Sequence, residues 1–204
     1  MPACYAVRVT FLLVSGASGA GKSSVRAVVA PALAPRVRCV ELRDLVEIPA
    51  FPDIAWRQRT TECAVRQALE LQAQGRHLML AGDPVAPGEL LAAPSADRLE
   101  ATAICVLDCA PDVQRARLTA RGDDPALLPT HVAFADWMRR HAADPGWMPH
   151  VLTTGGWPEM RWDRWSGWRR GDPRWRIDVI DTTALAVPAV ADRVLAWAER
   201  ALSR

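Results

Sequence analysis

Lysine is almost missing from this chain: Lys22 is the single lysine among 25 lysine and arginine residues in 204. A composition that turns nearly every basic position into arginine is the mark of GC-rich coding, and says nothing about function by itself. Excess charge of one sign is also missing. The net charge of +2 excludes a molecule-wide attraction for nucleic acid. No long apolar run is present. The stretch 9–14 is too short to span a bilayer, and Arg8 interrupts any targeting signal at the start. The five cysteines, Cys4, Cys39, Cys63, Cys105 and Cys109, form no CxxC pair, which excludes a disulfide framework and a thiolate zinc site. They read as reduced thiols of a cytoplasmic protein. Four histidines, His77, His131, His141 and His150, show neither HxxxH nor HExxH spacing, and read as structural or solvated rather than as metal ligands. No internal repeat and no linker divides residues 1–204, which read as one domain.

What the chain does have is alternation. Short apolar runs at 8–15, 37–42, 77–82, 101–109 and 175–183 read as strands. Between and after them, 22–32, 54–74, 111–121, 130–143 and 188–203 read as helices. Gly75 offers a stop, and Pro111 suits a first helical turn. Strands alternating with helices predict an α/β fold with a parallel sheet covered on both faces. Ligands of such sheets bind beyond the carboxyl ends of the strands. That rim would carry 16–23, Asp44, Gly82–Asp83 and Asp108. One segment, 144–175, breaks the alternation. It holds six of the nine tryptophans and five arginines, and reads as an irregular insertion or lid.

The lone lysine sits in GASGAGKS, residues 16–23, a full match to GxxxxGK[ST] through Gly16, Gly21, Lys22 and Ser23. A short apolar strand precedes it and a helix follows, as the pattern requires. The glycines let the backbone curl so that N–H groups of Gly16, Ala17, Ser18, Gly19, Ala20, Gly21, Lys22, Ser23 and Ser24 converge on phosphate oxygens. The helix start adds the positive end of its dipole. Lys22 is placed to reach the outer phosphates and Ser23 to hold Mg²⁺. A compact ammonium on a flexible stem fits inside a ring of amides; a broad guanidinium does not. Shape therefore explains why this one position escaped the arginine bias.

With those residues the chain resembles the small P-loop kinases: shikimate, gluconate, nucleoside and nucleotide kinases and chloramphenicol phosphotransferases. The resemblance runs through GASGAGKS, the acidic end of the second strand, the arginines after the fourth strand and IDTT near the end. It implies a three-layer P-loop kinase fold, a five-stranded parallel sheet in order 2-3-1-4-5, and phosphoryl transfer from ATP. It implies that Asp44 orients or deprotonates an acceptor hydroxyl, with Glu41 and Glu47 as alternatives. Asp83 reads as a contact to the Mg²⁺ shell or the substrate, or as a helix cap. Arg117 and Arg121, one helical turn apart and ahead of Arg115, imply a lid that neutralises phosphate charge. Arg57 and Arg59 would face an anionic group of the acceptor, or else are surface charge. The loop 181–183, with Thr182, would lie near the adenine.

The tryptophan and arginine segment admits three readings: packing onto the domain, enclosure of a substrate, or a homodimer contact. The function these features predict is an ATP- and Mg²⁺-dependent phosphotransferase acting on a hydroxyl of a small molecule, with a nucleoside, a sugar acid, or a secondary metabolite or antibiotic as candidate acceptors. Neither nucleic acid nor membrane is an expected partner. The alternatives are a polynucleotide 5′-kinase and a nucleotide-binding regulatory protein with little turnover. A GTPase switch is disfavoured, because NKxD needs a second lysine.

Overall fold

Five parallel strands form one sheet in the order β2-β3-β1-β4-β5. The computed structural model describes residues 9–203. Arg8, Cys4 and the start of the chain lie outside the described residues. In sequence the elements run β1 (Thr10–Ser15), α1 (Lys22–Leu33), β2 (Val37–Val40), α2 (Ile54–Gln72), β3 (His77–Ala81), α3 (Pro87–Ala92), β4 (Ala101–Asp108), α4 (Pro111–Arg121), α5 (Leu128–Ala143), α6 (His150–Thr153), β5 (Ile177–Asp181) and α7 (Val187–Leu202). The anticipated order is the observed one. β2 ends two residues early, because Leu42–Asp44 turns into a single 3₁₀ turn.

The central strand shows why the sheet needs two helical layers. Every residue of β1 is buried. Its alternating side chains point to opposite faces. Leu12 and Val14 join Val25 and Val29 of α1 and Val190 and Val194 of α7. Phe11 and Leu13 join Ala64, Val65 and Ala68 of α2 and Leu90 of α3. Such a strand reads as a continuous apolar run because neither face meets water.

A third cluster accounts for 144–175. Trp165, Trp175 and Leu152 bury themselves against Trp137 and Met138 of α5 and Ala92 of α3. The Trp165 indole donates to the Gly88 carbonyl at 2.9 Å, and the Trp175 indole to the Ala142 carbonyl at 2.9 Å. Apart from α6 and one turn at Trp162–Arg164, the segment is irregular, as anticipated. Large rings with satisfied N–H groups do the packing that periodicity does elsewhere. Two arginines lie over tryptophan faces, Arg174 on Trp168 at 4.4 Å and Arg140 on Trp147 at 5.0 Å. Of the described cysteines, Cys39, Cys63, Cys105 and Cys109 are free thiols. No described helix is long and apolar enough to cross a membrane.

Candidate active site

The turn after β1 wraps around the head of α1. A Cβ at Gly16 would lie 2.3 Å from the Leu107 carbonyl oxygen, and its φ is +141°, so the β1 exit admits only glycine. α4 then holds the loop from the side. Gln114, fully buried, donates to the Ser18 carbonyl at 2.8 Å and to the His131 carbonyl at 3.2 Å. Arg117 donates to the Gly19 carbonyl at 3.4 Å. The Ser18 and Gly19 carbonyls are thus held from outside, while the Ala20 amide bonds back to the Ala17 carbonyl at 3.2 Å.

That cavity has a volume of about 660 Å³. Residues from Ser18 to Val25 form its floor, with Arg117 and Arg121 on one wall and Arg43, Gly82 and Pro84 on another. Thr182, Leu185, Ala186, Val187 and Val190 close the end near β5. Lys22 is buried, and its ammonium donates to the Ala17 carbonyl at 2.8 Å. Burial lowers its pKa to about 8, against the pull of the Asp83 carboxylate. Ser23 is exposed at the cavity. Gly16 and Ala17 stand behind the floor.

Arg117 reaches across to the β5 end. Its guanidinium donates to Thr182 Oγ1 at 2.9 Å and to the Thr182 carbonyl at 2.7 Å. Arg121 lines the same wall and is paired with Asp123 through two contacts of 2.6 Å. Arg115 is exposed and does not line the cavity.

The acids after β2 and β3 form a tight group. Glu41 is buried; Arg26 Nε lies 3.1 Å from one of its oxygens and Arg43 Nε 2.5 Å from the other. A Cβ on Gly82 would fall 2.5 Å from the Glu41 side chain, so the two strand ends touch. Asp44 accepts from the Glu41 amide at 2.8 Å, lies 3.7 Å from Arg26, and is 40% exposed. Asp83 accepts from the Leu42 amide at 2.6 Å, and burial raises its pKa. Asp44 and Asp83 thus sit on the rim beside the cavity rather than in its lining. Among the described residues no group of three or more His, Cys, Asp or Glu is arranged to hold a metal.

Two candidate acceptor residues, Arg57 and Arg59, lie outside the cavity lining, and Asp108 has a structural partner. Arg57 does not line the cavity: it donates to Glu89 at 2.7 and 3.0 Å, and Glu89 is wholly buried. Arg59 shares the solvent-facing stripe of α2 with Cys63, Arg66 and Glu70. Asp108 is paired with Arg139 of α5 at 2.5 Å, while Thr183 takes the Ala110 amide at the start of α4. Gln114 and Glu89 had gone unnoticed. Each is a polar residue in a buried helical phase, Gln114 one turn before Leu118 and Glu89 beside Leu90, and that mismatch is the signal that points to them.

No protein-family model matches the sequence. No curated protein matches it either. Solved structures do. A gluconokinase from Sinorhizobium meliloti superposes with a TM-score of 0.54 over 96% of this chain and 94% of that one, at 19% identity. The tunicamycin resistance protein of Deinococcus radiodurans gives 0.53 over 93% and 95%, at 14% identity. The chain has the fold of the small P-loop kinases. At these identities the likeness establishes architecture, and the chemistry has to be argued from the residues.

Proposed function

We propose that this chain is an ATP-dependent phosphotransferase that moves the γ-phosphoryl group to a hydroxyl of a small molecule. The observation that carries this reading is Lys22: a buried ammonium lining the cavity of the glycine loop, bonded among the described residues only to the Ala17 carbonyl. Burial penalises its charge and the nearby Asp83 carboxylate offsets that only in part, so an arriving anion is favoured. The triphosphate tail of a nucleotide supplies one, and Arg117 and Arg121 add guanidinium groups at the same wall.

Each residue then has a task. The amides of Ser18 to Ser23 and Lys22 grip the β- and γ-phosphates. The apolar end formed by Leu185, Ala186, Val187 and Val190, closed by Arg117, takes the base. Asp44 meets the acceptor hydroxyl. Glu41 is saturated by Arg26 and Arg43, whereas Asp44 keeps an accessible carboxylate face. Ser23 and Asp83 are hard oxygen donors suited to Mg²⁺, which takes few protein ligands and keeps its other positions for water and phosphate; when bound it neutralises charge on the phosphate oxygens. In the transfer, the bond from the γ-phosphorus to the bridging oxygen breaks and ADP leaves with that electron pair. The acceptor oxygen forms the new bond to phosphorus, and its proton passes to Asp44. Arg121 must exchange Asp123 for phosphate oxygens, as a lid residue would.

A polynucleotide substrate gains no support from the tryptophan segment. Arg161 and Arg174 are paired with Asp163 and Asp172, and Arg164 with Asp97. The test is a screen of ATP consumption against nucleosides, sugars, amino alcohols and antibiotics, with product mass measured, alongside nucleotide binding by calorimetry. Gain of one phosphoryl group on an acceptor, lost together with ATP binding in Lys22→Ala, is the expected result. A chain that binds no ATP, or whose affinity and turnover survive Lys22→Ala, would overturn the assignment.

A further inference from the structure

The charges around the cavity are divided unevenly. On the nucleotide side, Lys22 and Arg117 spend their hydrogen bonds on backbone carbonyls and a hydroxyl, so their charge is available to phosphate. Beyond the tips of β2 and β3 the cations are already matched. Arg26 and Arg43 share Glu41, with Asp44 beside Arg26. Arg57 is fixed on buried Glu89. Asp83 adds a further carboxylate. In formal charges, Arg26, Arg43 and Arg57 stand against Glu41, Asp44, Asp83 and Glu89, three positive against four negative. Arg59, on the solvent stripe of α2, does not alter this balance at the rim.

The same rim carries exposed apolar surface. The stretch IPAFPD, 48–53, leads from the tip of β2 into α2. Phe51 is 92% exposed and Ile48 48% exposed. Pro49 and Pro52 fix φ on either side of Phe51. Asp53 anchors the far end by accepting from the Trp56 amide at 2.6 Å. The chain therefore holds an aromatic ring in water from a constrained turn, in the same β2–α2 connection that carries Asp44.

We propose that the acceptor is an uncharged alcohol with an apolar body, its body seated on Phe51 and Ile48 and its hydroxyl on Asp44. This rests on the phosphotransferase reading above. A sugar acid or a nucleoside monophosphate would have to displace Glu41 or Glu89 from Arg26, Arg43 or Arg57 to find a cation there. A small neutral sugar would leave Phe51 and Ile48 uncovered. An uncharged amphiphile meets both conditions: it asks for no counter-ion, and it buries the ring.

The test supplies the full chain with ATP, magnesium and three acceptor panels at equal concentration. One holds neutral aryl-alkyl alcohols and N-acylated amino alcohols, one holds gluconate, shikimate and other sugar acids, and one holds nucleosides and their monophosphates. Product mass and acceptor binding by calorimetry are both read. The expected result is binding and phosphoryl transfer confined to the first panel, with Phe51→Ser raising the acceptor KM about tenfold, the loss that unburying a ring entails. The KM for ATP serves as the internal control. ATP binding by the wild-type chain separates the two levels. A chain that binds no ATP overturns the phosphotransferase reading and this inference with it. A chain that binds ATP overturns the inference alone in any of three ways: it transfers to a sugar acid or a monophosphate, it neither binds nor uses the neutral panel, or its acceptor KM is unmoved by Phe51→Ser.

Discussion

Arg117 closes on Thr182 through two hydrogen bonds, one to the hydroxyl at 2.9 Å and one to the carbonyl at 2.7 Å. The pair joins α4, which carries Arg117 and Arg121, to the end of β5 and holds the Arg117 guanidinium at the cavity wall. Arg117→Ala should lower kcat by about 10²–10³, the range for losing a positioned donor to developing charge. Arg117→Lys should recover little, since an ammonium cannot reproduce the two-pronged geometry. Steady-state kinetics on the three proteins check this; a lysine variant with wild-type kcat would show that charge alone suffices.

Asp44 and Glu41 make opposite predictions. Asp44→Asn keeps the shape and removes the proton acceptor, so kcat should fall about 10²–10⁴ with little change in the KM for ATP. Glu41→Gln takes the charge from between Arg26 and Arg43, so its first effect should be on stability, a loss of about 1–2 kcal/mol, since both arginines keep contact with water. Thermal unfolding and kcat measured together separate the roles. A normal kcat in Asp44→Asn, with activity lost in folded Glu41→Gln, would move the acceptor acid to Glu41.

Lys22 titrates near pH 8 in the free chain because burial opposes its charge. A bound triphosphate stabilises the ammonium and raises that value. Between pH 8 and 9, ATP binding should therefore take up a proton. Calorimetry at pH 8.5 in two buffers of different ionisation enthalpy reads the uptake directly, and Lys22→Met should abolish it. Equal heats in both buffers would place the lysine away from the phosphates.

His141 is stacked on Trp137 at 4.8 Å, with Trp165 and Trp175 edge-on at 5.5 and 5.1 Å. It is fully buried, and neither ring nitrogen has a hydrogen-bond partner. Burial lowers its pKa to about 4, partly opposed by Asp144. The folded chain holds the ring neutral while the unfolded chain protonates it near 6.5. Stability is thus full above pH 6.5 and falls as pH drops towards 4, by up to about 3 kcal/mol from this residue. His141→Phe should flatten the difference between urea midpoints at pH 7 and pH 4.5. The same acid sensitivity in both proteins would assign it to other groups.

Most of the architecture was legible because it is written locally. The five apolar runs, Pro111 ahead of α4 and the glycine loop before α1 depend on neighbours a few residues away. The turn between β1 and α1 was legible for the same reason: eight consecutive residues carry its geometry. What failed to show was long-range pairing. Arg57 and Glu89 are 32 residues apart, and only the fold reveals that the arginine is already spoken for. Gln114 and Ser18, 96 apart, are a second case. α3 was missed because six residues between prolines show too little periodicity. For 144–175 the sequence left packing, substrate enclosure and a dimer contact open; its indoles complete a core whose other half lies on α5.

That aromatic core has an optical consequence. Seven of the nine indoles belong to it. Ultraviolet emission from this chain will therefore be dominated by residues that do not line the cavity at the glycine loop, a poor gauge of nucleotide titrations and a sensitive one for melting of that flank. Trp56, in the first turn of α2, packs instead against the core under α2. A variant keeping it alone on a dark background would give that helix its own lamp.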